Sequence, residues 1–242
     1  KLYISPENGF IDKHIFLYGA YEPFMLDLFL RYLKKGDTFI DIGANIGQHT
    51  LFAANIVGQT GSVHAFEPIP KLYSQLKKSV EINYLENIVH LHNVAIGPVQ
   101  KEDTFYVSKN AGGSSFVNKD NLSETITVPI KNGDSYLSFL KRVDAVKIDV
   151  EGFEYEVLLG IKKILDVHRP VLFLEFSGHF YNRQNNQHGS KILSLLRSYN
   201  YSLFDIEENF NEIKDDEIFN TSISLTRNQT NLLCIHEKRY EI

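Results

Sequence analysis

The sequence predicts an α/β fold in which helices cover both faces of a parallel, doubly wound sheet. Strand-like and helix-like segments alternate along most of the 242 residues, and this alternation is typical of βαβ units. Two strand candidates, 145–150 (AVKIDV) and 170–176 (PVLFLEF), are apolar along nearly their whole length, as buried central strands of a parallel sheet are. We find no internal repeat and no domain linker, and therefore expect one Rossmann-like domain.

The N-terminal segment, residues 1–35, is expected to precede this domain as an extension. Residues 9–21 show no clear period and are expected to form a hairpin, and a helix is expected over 23–34. Pro23 suits a first helical turn, and apolar residues recur at helical spacing after it. The domain itself is expected to run from 36 to 242.

The rest of the chain supplies the alternating elements. The expected strands are 38–42, 62–67, 88–96, 145–150, 170–176, 201–206 and 231–237. The expected helices are 46–56, 70–84, 153–165 and 190–198. Residues 101–130 break the alternation, because two extended stretches there flank a loop rich in glycine, serine and asparagine, which predicts a small insertion.

Composition limits the class of partner. The net charge is −5 without a basic stripe, so nucleic acid is not expected as a partner. No apolar run approaches the roughly 20 residues of a membrane-spanning helix. The single cysteine, Cys234, fits a reducing compartment, and we expect a cytoplasmic location. The chain begins at Lys1 rather than methionine, which is consistent with fusion to other domains in a longer polypeptide.

The most informative stretch is residues 41–47, DIGANIG, directly after the first sheet strand. In doubly wound sheets, ligands bind beyond the carboxyl ends of the strands. Gly43 and Gly47 allow the backbone to turn tightly and approach a ligand closely, and the next helix points its first amides at the same place. The middle glycine of the dinucleotide fingerprint is missing, which favours S-adenosylmethionine (SAM), whose amino-acid end carries no phosphate.

A second motif ends the next strand. Glu67 lies twenty-six positions after Asp41, in AFEP, and an acid there can accept hydrogen bonds from both ribose hydroxyls of an adenosine. A structural glycine turn with an unrelated surface acid is the alternative. Because the two motifs lie at strand ends one βα unit apart, we favour a nucleoside site.

The stretches DIGANIGQHT, AFEP, NVAIG and VKIDVEGFEYEVLLG together resemble the FkbM family of SAM-dependent methyltransferases, from about Gly19 to Glu175. The KIDVEG-E signature is the most specific of them. The resemblance implies the class I methyltransferase fold, with a seven-stranded sheet of order 3-2-1-4-5-7-6 and an antiparallel strand seven. It also implies methyl transfer, usually to oxygen, often on sugars or on polyketide and other natural-product hydroxyls.

The resemblance further implies the cofactor-binding residues. Those expected around the methionine part of SAM are Asp41, Gly43, Ala44, Asn45 and Gly47. Those expected at the ribose, the neighbouring turn and the adenine are Glu67, Pro68, Asn93 and Ala95. Tyr21 and Glu22 match the family's yE element and are expected to cover the cofactor. Ser115, in the GGSS loop, is expected in a lid over cofactor or substrate, with a plain loop as the alternative.

Methyl transfer from a sulfonium requires in-line alignment and removal of the hydroxyl proton. A base must therefore lie beside the methyl group, near the carboxyl ends of the central strands. Asp149 and Glu151 follow one such strand, and Glu175 and His179 lie at the end of the next. We expect the first two near the reacting centre, with Glu175 as partner and His179 as alternative base. Structural carboxylates or helix caps are the alternative.

The same four residues could instead hold Mg²⁺ or Mn²⁺, with Asp149 and Glu175 as ligands, and the sequence does not decide this. The expected function is SAM-dependent O-methylation of a sugar hydroxyl in a glycan or glycoconjugate. The alternatives are a polyketide, peptide or other natural-product acceptor, and a non-catalytic SAM-binding module. Residues 180–242 match no pattern that identifies an acceptor.

Overall fold

The computed structural model describes residues 1–5, 9–108, 122–177, 188–223 and 229–239. The strands are β1 (Thr38–Ile42), β2 (Ser62–Phe66), β3 (Val89–His92), β4 (Ala95–Gly97), β5 (Lys101–Ser108), β6 (Leu122–Asn132), β7 (Ala145–Ile148), β8 (Val171–Phe176), β9 (Tyr201–Asp205), β10 (Asn211–Glu212) and β11 (Thr230–His236). The helices are α1 (Phe10–Tyr18), α2 (Pro23–Tyr32), α3 (Gln48–Val57), α4 (Pro70–Glu81), α5 (Gly133–Tyr136), α6 (Glu154–Gly160), α7 (Lys162–His168), α8 (His188–Ser198) and α9 (Asp216–Ser222). The described part of the chain contains no helix long and apolar enough to cross a membrane.

The main sheet has eight strands in the order β3-β2-β1-β7-β8-β11-β9-β10. Strands β3, β2, β1, β7 and β8 are parallel, and β11 runs antiparallel to both β8 and β9. This order confirms the predicted 3-2-1-4-5-7-6 sheet with its antiparallel seventh strand, and β10 adds a two-residue edge. Because the winding reverses between β1 and β7, their carboxyl ends open a crevice there.

Helices cover both faces of the sheet, as expected. Side chains of α2, α3 and α4 pack on the face that carries Phe39, Ala145 and Phe173. Side chains of α6, α7, α8 and α9 pack on the face that carries Ile40 and Val146. Adjacent residues of a strand point to opposite faces, and here both faces are apolar, which explains the continuous apolar runs in the sequence.

The hairpin predicted at residues 9–21 is wrong, because residues 10–18 form helix α1. Ile15 is buried in the cluster that also holds Ile11, four positions earlier. Gly19 ends the helix with φ of +87°, and its N–H donates to the Ile15 carbonyl over 2.8 Å. The helical period was hidden because apolar residues also occupy the exposed side of α1.

Two other predicted elements are divided in the structure. The strand expected at 88–96 is β3 and β4, and β4 joins β6 and β5 in a separate three-stranded sheet. The helix expected at 153–165 is α6 and α7, which meet at Ile161. The insertion expected near 101–130 contains the antiparallel pair β5 and β6. The domain boundary at residue 36 stays a prediction.

Three histidine rings stack where β2 meets β3. His64 lies 4.8 Å from His90 and 5.6 Å from His92 between ring centroids, and His64 Nδ1 lies 3.3 Å from His92 Nε2. Burial, reinforced by the neighbouring His90 charge, lowers the pKa of His64 to about 3 and that of His92 to about 4. These two rings are therefore neutral in the folded chain at neutral pH.

We expect this stack to make the fold acid-sensitive. In the unfolded chain an imidazole takes up a proton below about pH 6.5, whereas folded His64 stays neutral down to about pH 3. Stability is therefore lost as the pH falls, by about 1.4 kcal/mol per pH unit for each such histidine. The free energy of unfolding would be measured with denaturant at several pH values between about 6.5 and 4.5. It should fall less steeply with decreasing pH for His64→Phe than for the unmodified chain, and equal pH dependence would contradict this account.

Candidate active site

The turn after β1 is built so that only glycine fits at its start. Gly43 has φ of +84°, and a Cβ there would lie 1.8 Å from the Asp149 carbonyl oxygen. The N–H groups of Gly43 and Ala44 both donate to the Phe66 carbonyl over 3.0 Å. At Gly47, with φ of +95°, a Cβ would lie 2.3 Å from Leu76 Cδ1. The backbone therefore passes closely beneath the carboxyl end of β7 and leads directly into α3.

The carboxylate of Glu67, directly after β2, is oriented by two backbone N–H groups, one of them in the same turn. Glu67 Oε2 accepts from the Asn45 N–H and Oε1 accepts from the Ile69 N–H, each over 2.9 Å. Asn93 Nδ2 donates to the carbonyls of Glu67 and Pro68 over 2.8 and 3.1 Å. Burial raises the pKa of Glu67 to about 7, against the opposing effect of the two backbone bonds. Each carboxylate oxygen keeps acceptor capacity beyond its one backbone bond.

A buried lysine joins the β1 turn to the carboxyl end of β7. The register of β1 and β7 places Asp41 opposite Lys147, which is 3% exposed. Lys147 Nζ lies 2.9 Å from Asp149 Oδ2 and 3.8 Å from Asp41 Oδ1, and Thr50 donates its hydroxyl to Asp41 Oδ2 over 2.6 Å. Burial alone would lower the Lys147 pKa, but the charges of Asp149 and Asp41 outweigh burial and raise it. Lys147 is therefore a buried ammonium group that links the two loops.

Asp149 and Glu175 form a pair whose pKa values are shifted in opposite directions. They follow Ile148 and Leu174, which are register partners on the adjacent strands β7 and β8. Burial, and after it the charge of Asp149, raises the pKa of Glu175 well above its usual range. Burial would also raise the Asp149 pKa, but Lys147 and a hydrogen bond from Glu175 lower it. The Glu175 pKa is therefore shifted upward and the Asp149 pKa downward, so Asp149 is the stronger acid of the two and ionises first as the pH rises.

Tyr21 and Glu22, directly before α2, contact the first turn of α3. The Tyr21 N–H donates to Gln48 Oε1 over 2.7 Å, and Gln48 Nε2 donates to the Tyr21 carbonyl. Glu22 has φ of +48°, and its Oε2 lies 4.0 Å from His49 Nε2. Burial, followed by the charge of Asp149, raises the pKa of Glu22 to about 7. Burial, reinforced by Lys147, lowers the His49 pKa to about 3, so this ring is neutral.

Glu151 contributes its charge from the β7–α6 loop. It has φ of +54°, a left-handed conformation that is uncommon for a residue with a side chain. Its charge helps to raise the pKa values of Glu175 and Tyr21. The structure therefore brings together one group of five predicted side chains, which are Tyr21, Glu22, Asp149, Glu151 and Glu175.

Other predicted residues lie deeper or outside the described ranges. Asp41 is fully buried under the turn, and Ala95 is a buried residue of β4 paired with Ile130, so their contacts with SAM stay predictions. Ser115 and His179 lie outside the described residues.

In the ranges that are described, no group of three or more His, Cys, Asp or Glu side chains could hold a metal ion. The metal hypothesis for Asp149 and Glu175 therefore gains no support.

Sequence analysis missed Lys147, Gln48 and His49. A signal for Lys147 was available, because a charge within an otherwise apolar central strand must be paired when it is buried. Gln48 and His49 directly follow Gly47 in the quoted motif, and the first turn of that helix faces the crevice. Their partners Tyr21 and Glu22 lie too far away in the sequence for spacing to reveal them.

An open sheet of this order, with a glycine turn after β1 and an oriented acid after β2, defines a class I methyltransferase. The model of the methyltransferase FkbM domain matches residues 41–203 of the chain. The protein belongs to this family and is a SAM-dependent methyltransferase.

Two curated relatives extend this comparison. "Methyltransferase 1" of Beauveria bassiana is 30% identical over 193 residues, which cover 66% of this chain and 72% of that protein. The hexuronic acid methyltransferase AglP of Haloferax volcanii is 28% identical over 152 residues, which cover 58% of this chain and 56% of the relative. The chain thus spans little more than half of the archaeal relative.

Two solved structures share the fold. A methyltransferase from Streptococcus mutans, in complex with SAH, has a TM-score of 0.51 and 11% identity, with 88% of this chain and 96% of that chain covered. A protein assigned as an rRNA methylase from Clostridium thermocellum has a TM-score of 0.54 and 14% identity, with 88% and 93% covered. The fold by itself therefore does not exclude a nucleic-acid acceptor.

The close approach at Gly43 gives a first test of the site. Gly43→Ala should weaken SAM binding at least about tenfold and lower stability, because its Cβ meets the Asp149 backbone and a left-handed φ costs about 1–2 kcal/mol. Gly36→Ala is the matched control, because Gly36 has φ of +88° but no atom nearer than 3.5 Å to its Cβ. Titration calorimetry and thermal unfolding would measure both variants, and equal SAM affinities would refute the steric argument.

The pKa of Glu67 gives a second test. Ribose hydroxyls donate best to an ionised carboxylate, so SAM affinity should rise as the pH increases through about 7, the pKa of this group. Glu67→Gln should weaken binding by about 1–3 kcal/mol above that pH. The SAM affinity of the variant should also depend less on pH, because Glu67 no longer titrates. Calorimetry with SAM across this range would measure both effects, and an unchanged gradient in the variant would exclude Glu67 from the ribose.

Proposed function

We propose that the protein transfers the methyl group of SAM to a hydroxyl group of a sugar in a glycan or glycoconjugate. The observation that carries this proposal is the group of carboxyl side chains from Glu22, Asp149, Glu151 and Glu175 at the carboxyl edge of the sheet. A hydroxyl must lose a proton during transfer, and Asp149, whose pKa is lowered and which therefore carries a negative charge, can accept it.

SAM, when bound, supplies a methyl group already activated on a sulfonium. The residues that would hold it fit its two ends. Gly43 lets the turn pass directly against the Asp149 backbone, which any Cβ would prevent, and Glu67 keeps acceptor capacity on both oxygens for two ribose hydroxyls. Negative charge from Asp149 and Glu151 favours a cation in this crevice.

Asp149 is the proposed proton acceptor. Lys147 and Glu175 both donate hydrogen bonds to it, and these bonds keep it ionised and fix its direction. A carboxylate with a lowered pKa is a weak base, which suffices because the hydroxyl proton becomes acidic as the oxygen bonds to the methyl carbon. Lys147 acts as a positioning residue, since it contacts the base and is itself buried.

The charge of the site favours a neutral hydroxyl over an anionic acceptor. An incoming carboxylate would meet Asp149 and Glu151 at close range, and like charges repel strongly where water is excluded. The archaeal relative is named as a hexuronic acid methyltransferase; this name supports a sugar acceptor, but its sugar is charged, whereas the acidic site of this chain favours a neutral one. The exclusion of nucleic acid and the cytoplasmic compartment stay predictions from composition.

Acceptor class can be tested with labelled SAM. Neutral oligosaccharides, uronic-acid oligosaccharides, a peptide pool and an rRNA fragment would be compared, with and without a chelator. We expect label in neutral sugars and no effect of the chelator. Label in RNA or peptide alone would overturn the sugar assignment, and activity that is lost with chelator and restored by Mg²⁺ would overturn the metal-independent mechanism.

The opposite pKa shifts of Asp149 and Glu175 give a sharper prediction. Asp149→Asn removes the proton acceptor and should lower kcat by about 100-fold or more, with little change in SAM affinity. Glu175→Gln retains a donor to Asp149 in place of a protonated carboxyl group, and its kcat should fall by less than about tenfold. Steady-state kinetics of the two isosteric variants would decide, and a larger loss in Glu175→Gln would reverse the assigned roles.

A further inference from the structure

One side of α1 carries a row of largely exposed apolar and aromatic side chains. Phe10, His14, Leu17 and Tyr18 follow the i, i+4, i+7, i+8 spacing of a single helix face, and we call this row the aromatic stripe. Phe10, Leu17 and Tyr18 are 57%, 68% and 72% exposed. The opposite side of α1 is buried through Ile15, so the helix is held firmly while the stripe faces solvent.

The rings of the stripe contact one another and Tyr21. His14 lies 5.7 Å from Phe10 and 4.7 Å from Tyr18 between ring centroids. The ring of Tyr21 packs edge-to-face on Phe10 at 6.4 Å and 88°, and on His14 at 5.7 Å and 87°. Tyr21 is therefore continuous with the stripe.

Tyr21 also borders the carboxyl group cluster. Its backbone is bonded to Gln48 at the start of α3, and the next residue is Glu22, 4.0 Å from His49. Burial raises the pKa of the Tyr21 hydroxyl, and the charges of Glu22 and Asp149 raise it further. The Tyr21 hydroxyl thus lies close enough to the proposed reacting centre to be affected by its charges, and the Tyr21 ring lies against the stripe.

We propose that the aromatic stripe is the outer part of the acceptor site, on which sugar rings next to the methylated sugar stack. The inference rests on the proposed function and extends it, since it requires an acceptor of several sugars rather than one. A pyranose ring presents C–H groups on its faces and hydroxyls at its rim, so its face can cover an aromatic ring while its hydroxyls stay hydrated. Aromatic side chains provide such flat apolar area with little loss of conformational entropy.

A membrane surface and a protein partner both fit the stripe less well than a sugar chain does. Helices that bind membrane surfaces carry a polar face rich in lysine and arginine, whereas α1 has nine residues and one lysine, Lys13. A stable protein interface needs about 20 residues on each side, and the stripe has four side chains. The position of Tyr21 between the stripe and the carboxyl group cluster favours the acceptor as the occupant.

The absence of tryptophan from the sequence allows a direct binding test. Tyr18→Trp would place the only indole in the stripe, and Tyr84→Trp, at a position that is 85% exposed, is the matched control. Cellohexaose, maltohexaose and chitohexaose would be titrated into each variant, as would vesicles of phosphatidylcholine and phosphatidylglycerol. We expect a saturable emission change with at least one hexasaccharide in Tyr18→Trp and none in Tyr84→Trp. A response to vesicles and not to sugars would overturn the proposal in favour of a membrane contact.

Kinetics would test the same stripe in turnover, with a hexasaccharide that the unmodified enzyme methylates. Phe10→Ala and Tyr18→Ala should each raise KM for that hexasaccharide about three- to tenfold, with unchanged SAM affinity, and Tyr18→Phe should restore KM. Methylation of the sugar with unchanged KM in both alanine variants would refute the stripe alone. Methylation of a non-sugar acceptor only would refute the proposed function and the stripe together.

Discussion

The site depends on one buried ion-pair arrangement, in which the Lys147 ammonium lies between Asp41 and Asp149. A charge in the middle of a covered sheet would cost several kcal/mol if it were unpaired. Both partners lie at the crevice, one under the turn after β1 and the other at the end of β7. The same pairing therefore joins the proposed cofactor turn to the proposed proton acceptor and keeps that acceptor ionised.

Several acids lie near this lysine, and their pKa values are shifted by different amounts and in different directions. Burial, followed by the charges of the neighbouring carboxylates, raises the pKa of Glu175, while Asp149 stays ionised beside Lys147. Glu22 and Glu67 both have pKa values of about 7. An environment of this kind favours a sulfonium and a neutral acceptor, and it makes the occupancy of the site sensitive to pH near neutrality.

The N-terminal extension links the crevice to the outer surface. Helix α1 contacts α4, where Gln75 Nε2 donates to Asp12 Oδ1 over 3.1 Å, and Gln48 of α3 holds the Tyr21–Glu22 corner through two hydrogen bonds with the Tyr21 backbone. Tyr21 and Glu22, which precede the predicted sheet domain, therefore form part of the candidate site. In the proposed function, the aromatic stripe of α1 binds the part of an extended acceptor that lies outside the crevice.

The sequence by itself determined the sheet order through resemblance, the glycine turn at Gly43 and the position of Glu67, because φ preferences and strand periodicity are local properties of the chain. It did not reveal the helix at residues 10–18, the split of the third strand, or the role of Lys147. Those features depend on contacts between distant segments, such as the register that sets Asp41 opposite Lys147. The acidity of these groups was likewise decided only by the tertiary structure, because the pKa values of Asp149 and Glu175 are shifted in opposite directions by burial and by charges that lie close in space and far apart in sequence.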